Sequence, residues 1–139
     1  MKAETFNYVK RILKDYPDIE HYIKLREEEL RYPYRPGDLN DGIKSKYKDS
    51  DKMGLMLITI DEDRRLTSLQ RNKRIIDQLL ADCDEDTRTI IKELYMAKFP
   101  RYTMTGLVEG HVISCSRNTA SKKRTYFFEQ VAKALNLEL

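Results

Sequence analysis

Apolar residues recur at helical spacing along most of the chain. Over residues 4–15, Phe6, Val9, Ile12, Leu13 and Tyr16 repeat close to every 3.6 positions and mark the inner side of a first helix. Pro17 follows at once and suits the opening turn of a second helix over about 18–31, where its missing N–H would have had no partner. In that helix Ile19, Tyr22, Ile23 and Leu30 are expected inward, with Arg26, Glu27, Glu28 and Glu29 mostly outward. Two amphipathic stretches joined at Tyr16-Pro17 predict a helical hairpin.

The pattern breaks over residues 33–52, where two prolines, two glycines and few apolar residues predict a loop or linker. Asp38, Asn40 and Asp41 lie near a glycine there, but their spacing and the missing final glutamate exclude a calcium loop. Helix is expected again over 53–82. The run Met53, Leu55, Met56, Leu57, Ile58 and Ile60 would by itself fit a buried strand, and the acids at 61–63 with the later Leu66, Leu69, Ile76 and Leu80 decide for helix. Lys73 interrupts that seam, and two heptads are short for a coiled coil, so packing within the chain is favoured over pairing with a second copy.

The last third carries the most specific pattern. Asp84 is placed to cap a helix with Glu85 and Asp86 in its first turn, and Ile90, Ile91, Leu94 and Tyr95 form its inner stripe before Pro100. A short helix is expected within Thr103–His111, capped by Thr103, with Leu107 and Val108 inward and Gly110 closing it. After a turn at 112–115, Ser116 caps a long final helix to about Asn136. Ala120, Phe127, Phe128, Val131, Ala134 and Leu135 form its buried stripe, while Arg117, Asn118, Ser121, Lys122 and Thr125 occupy the other side of its first two turns. A helix that reads the major groove needs this division: hydrogen-bonding side chains at its N-terminal end and an apolar anchor behind them. The expected fold is therefore all-α, with a helical hairpin and long connecting helix over 1–82 and a three-helix helix-turn-helix module over 83–139.

Charge sharpens this reading. Residues 1–82 hold 17 Lys and Arg against 16 Asp and Glu, and residues 84–97 hold two against four. Residues 98–124 then hold Lys98, Arg101, Arg117, Lys122, Lys123 and Arg124 against Glu109 alone, the footprint of a phosphate-contacting surface. The candidate DNA contacts are accordingly Arg101, Thr103, Arg117, Asn118, Ser121, Lys122, Lys123, Arg124 and Thr125. Arg117 can fork onto guanine and Asn118 onto adenine, whereas Lys123 and Arg124 suit phosphates.

Other classes of function find little support. Cys83 and Cys115 lie 32 residues apart with no CxxC motif, and His21 and His111 have no partner at ligand or catalytic spacing. No phosphate-binding glycine loop and no nucleophile–base pair is present, so neither an enzyme nor a cofactor or metal site is expected. No apolar run is long enough to span a membrane, and a reducing cytoplasm is the expected location.

Three stretches together give the chain a resemblance to the RinA-type transcriptional activators of phages. KDYPDIEHYIKLREEEL followed by YPY resembles that family's N-terminal hairpin, and RRLTSLQRNKRIIDQLLADC its connecting helix. DEDTRTIIKELYMAKF with SRNTASKKRTYFFEQVAKALNL resembles its DNA-binding module, which is similar to the promoter-reading C-terminal region of sigma factors. The resemblance implies activation of late or packaging genes from promoter DNA, with Arg117, Asn118, Ser121 and Lys122 as the recognition set. RNA polymerase and a second copy of the chain stand as further candidate partners. Gly106 and Gly110 depart from the family pattern, which favours an Ala- or Leu-rich turn there, and Asn136 stands where a C-terminal glycine is common. A DNA-recognition subunit of the small-terminase type and a helical protein-interaction module, such as a sigma-factor ligand, are the alternatives.

Overall fold

A computed structural model of the protein describes residues 1–31 and 63–139. The expected linker at 33–52 and the apolar run at 53–60 lie outside those residues. Every regular element among the described residues is helical, and the protein is all-α. In order these are α1 (Ala3–Asp15), a 3-10 turn (Tyr16–Asp18), α2 (Ile19–Arg31), α3 (Arg64–Asp82), α4 (Glu85–Ile91), a π turn (Lys92–Met96), α5 (Met104–Glu109) and α6 (Arg117–Ala134). Pro17 sits inside the 3-10 turn, two residues before α2 begins, and not in the first turn of that helix.

The chain forms two compact units. One comprises Met1–Asp18 with Asn72–Leu139, and the other Ile19–Arg71. In the second unit Ile19 and Leu66 are buried, and Arg26 bridges Asp63 at 2.7 Å. The Asp63 carboxylate also accepts from the Leu66 N–H at 2.7 Å, so Asp63 caps α3 and holds α2 beside it. Tyr22, expected inward, is exposed.

Two apolar clusters hold the first unit together. In the larger, Val9, Ile12 and Leu13 of α1 meet Ile76 and Leu80 of α3, Ile91 and Met96, and Phe127, Phe128, Val131 and Leu135 of α6. Phe128 lies between two rings, stacked on Phe6 at 4.6 Å and edge-on to Tyr95 at 4.9 Å. The smaller cluster joins Ile90, Leu107, Ile113 and Ala120, one each from α4, α5, the turn and α6. The π turn lets one short segment serve both, because Leu94 packs on the smaller cluster while Tyr95 and Met96 face the larger. Ala134, expected in the buried stripe of α6, is exposed, and Ala132 takes its place. The inner face of α6 rotates in this direction because it must meet α1 as well as its own module.

This division differs from the split at residue 83 read from the sequence. The short trihelical core of α4, α5 and the first half of α6 cannot cover Phe128, Val131 and Leu135. The first helix and the end of α3 do so instead. Arg88 stitches the junction, donating to the Leu80 carbonyl at 3.0 Å and the Cys83 carbonyl at 3.2 Å, which leaves fewer orphan groups at the end of α3.

The two helix ends nearest the turn explain the unusual residues there. α5 closes with the Val112 N–H on the Leu107 carbonyl (3.0 Å) and the His111 N–H on the Val108 carbonyl (3.2 Å), and His111 is left-handed with φ 55°. α6 closes the same way, with Leu137 on Ala132 (2.9 Å), Asn136 on Lys133 (3.1 Å) and Asn136 at φ 58°. Asn136 thus supplies the left-handed cap expected of it. A Cβ on Gly110 would sit 2.9 Å from the Gly106 carbonyl oxygen, and one on Gly106 would press on the Thr103 hydroxyl at 3.3 Å. These glycines make α5 a very short helix with both ends tightly closed. His111→Gly should stabilise the protein. A left-handed residue with a Cβ costs about 1–2 kcal/mol, and the extra freedom of glycine when unfolded returns about 0.5–1 kcal/mol of this. A net gain of about 0.5–1 kcal/mol, read as a higher urea midpoint at unchanged slope, is the expected result.

Candidate nucleic-acid interface

The geometry of α6 begins with its cap. The Ser116 hydroxyl accepts from the Thr119 N–H at 3.3 Å, fixing where the helix starts. Ala120 is fully buried in the smaller cluster, which sets the rotation of the first two turns. Arg117, Asn118 and Lys122 are consequently exposed, and Ser121 and Thr125 are half-buried on the same stretch. The preceding turn is anchored as well. Ser114 donates through its hydroxyl (2.8 Å) and its N–H (3.3 Å) to the Asp86 carboxylate in the first turn of α4. Thr103 caps α5, accepting from the Gly106 N–H at 3.0 Å, and Arg101 beside it is exposed with its guanidinium 5.9 Å from the Tyr102 ring.

The structure thus brings Arg117, Asn118, Ser121, Lys122 and Thr125 together on one helix, and sets Arg101 and Thr103 at the start of the preceding one. It treats the last two expected contacts differently. Lys123 pairs with the carboxylate of Asp84, the cap of α4. Arg124 lies 5.5 Å over the Phe6 ring, with a 3.5 Å contact to the Tyr95 hydroxyl. Both side chains are committed to their own domain, Lys123 holding α6 to α4 and Arg124 holding it to α1, so neither is a free phosphate contact. The reason is rotational: each is one turn ahead of a core phenylalanine, Phe127 or Phe128, and shares its direction.

The Lys123 ammonium beside Asp84, helped by the Thr87 N–H at 2.8 Å, holds the Asp84 carboxyl down at about 2. A depressed carboxyl stabilises the fold fully above its ordinary value near 3.8 and loses that contribution as pH falls toward 2. Asp84→Asn keeps a capping oxygen but removes the charge. Its thermal midpoint should therefore fall less than that of the parent between pH 5 and pH 2, as followed by circular dichroism.

Two exposed aromatic residues escaped the sequence reading. Tyr126 is 64% exposed one turn beyond Lys122, and Phe99 is 80% exposed in the segment before α5. Tyr126 departs from the apolar stripe by position, a signal the sequence carries. Phe99 has no periodic context from which exposure could be judged. Among the described residues no group of three or more His, Cys, Asp and Glu could hold a metal ion, and no helix is long and apolar enough to cross a membrane.

Comparison with known proteins adds the family and no more. No curated protein and no solved structure matches the chain. Residues 6–133 match the model of a family described as a protein of unknown function (DUF722), and the protein belongs to that family.

Proposed function

We propose that this protein is a duplex-DNA-binding transcriptional regulator, a binding protein and not an enzyme, which docks the first half of α6 in the major groove. The observation that carries the reading is the division of α6. Its second half is gripped by Phe127, Phe128 and Val131, while Arg117, Asn118 and Lys122 project from its first half into solvent. A solvated surface helix has no need of so firm an anchor on a helix start so rich in hydrogen-bonding groups. The resemblance of the sequence to RinA-type activators extends the proposal to late or packaging genes of a phage, with RNA polymerase as a further partner.

Magnitudes narrow the expected binding. With Lys123 and Arg124 engaged internally, four cations of the basic segment remain to offset the charge of the duplex, at bases or phosphates: Lys98, Arg101, Arg117 and Lys122. Each neutralised phosphate releases counterions, so log K should fall against log[salt] with a slope of about −3 to −4. Fluorescence anisotropy on duplex fragments from upstream of its own gene, over a range of NaCl concentrations, measures this. Absence of binding to every duplex at low salt would overturn the proposal.

A further inference from the structure

Among the described residues, Phe99 sets the strongest unexplained demand. A phenylalanine left 80% exposed forgoes about 1.5–3 kcal/mol of burial, and nothing in the packing of α4 or α5 requires it to stand there. Its neighbours are cationic and also exposed: Lys98 lies 5.8 Å from the Phe99 ring and Arg101 5.9 Å from the Tyr102 ring. No acidic residue occurs between Glu93 and Glu109. The segment is also held in shape. Ala97 leaves the π turn in extended conformation, Pro100 confines Phe99 to extended backbone, and Tyr102 is pinned to the cluster of Ile90, Leu107, Ile113 and Ala120. Beyond Tyr102, Thr103 caps α5. An aromatic ring presented on a pre-set backbone between two cations loses little freedom when it is buried by a partner.

We infer that the segment Lys98–Tyr102 is a second DNA contact, in which Phe99 wedges against a base step beside the segment read by α6 while Lys98 and Arg101 grip the phosphates on either side. The charge decides the partner class, since two cations in a stretch with no acid from residue 94 to residue 108 suit a polyanion and not an apolar protein groove. An apolar wedge between base steps unstacks and kinks the duplex, which gives such a protein selectivity for flexible steps without hydrogen bonds to bases. This inference rests on the DNA-binding reading and adds a contact to it.

The test uses the full chain on the duplex it protects, with 2-aminopurine placed at successive positions outside the major-groove footprint. Wild-type protein should raise the fluorescence at one step as that base unstacks. Phe99→Ser should abolish the rise and weaken binding about tenfold at every salt concentration, because an apolar contact releases no counterions. Arg101→Ala should instead lower the salt slope by about one. Phe99 is so exposed that the serine variant should keep the parent's thermal midpoint, and Phe99→Trp should retain the fluorescence signal. Wild-type binding with the expected slope but no difference for Phe99→Ser would overturn the wedge and leave the α6 reading standing. A wild-type protein that binds no duplex would overturn both. Unchanged DNA binding by Phe99→Ser together with lost binding to RNA polymerase would overturn the wedge in favour of a protein partner.

Discussion

Phe128→Ala should destabilise the first unit by about 3–5 kcal/mol, enough to unfold most of a marginally stable domain at growth temperature. Phe128 is fully buried and touches rings from two other elements, Phe6 of α1 and Tyr95 of the π turn. Truncation removes its own burial and also deprives each of those rings of its contact with Phe128, a loss of about 0.5–1.5 kcal/mol for each aromatic pair. Arg124 rests on the same Phe6 ring, so its packing is weakened at the same time. Urea unfolding followed by far-ultraviolet circular dichroism would measure the change. A loss under 1 kcal/mol would mean that the contact between α1 and α6 contributes little to the fold.

On the proposed DNA-binding reading, Asn118→Ala should act on recognition and leave stability alone. Asn118 is exposed near the start of α6, outside the Ser116 cap and outside both apolar clusters, so its truncation should change the unfolding free energy by less than about 0.5 kcal/mol. Its amide can pair with the two major-groove groups of one adenine, an interaction giving about 1–3 kcal/mol of discrimination. The variant should therefore lose preference at one base pair of the site while binding other sequences nearly as before. Competition binding with duplexes changed one position at a time would show this. Equal weakening on every sequence would remove Asn118 from the base-reading set and make it a backbone contact.

The helices were legible in the sequence because their ends carry explicit chemistry. Asp84, Thr103 and Ser116 each cap the helix expected of them, accepting from Thr87, Gly106 and Thr119. The site was legible only in part. Arg117, Asn118 and Lys122 emerge exposed, but Lys123 and Arg124 turn inward, and a linear count of charge cannot see partners 39 or 118 residues away such as Asp84 or Phe6. The acids of α4 show the same limit. Asp84 and Asp86 read as a helix start, and they also tether Lys123 of α6 and Ser114 of the turn. The packing of α1 on α6 was hidden for a related reason, since periodicity reveals that a face is apolar without revealing what covers it.

Phe6 and Phe128 stand 122 residues apart, so the two ends of this chain complete each other's hydrophobic interior. During synthesis the leading helix must wait, greasy side unprotected, until the trailing one clears the ribosome. Such long-range closure slows folding and leaves the nascent chain open to chaperones and to sticking. The fold cannot be assembled by instalments: the last helix acquires a firm footing only when the first is there to meet it.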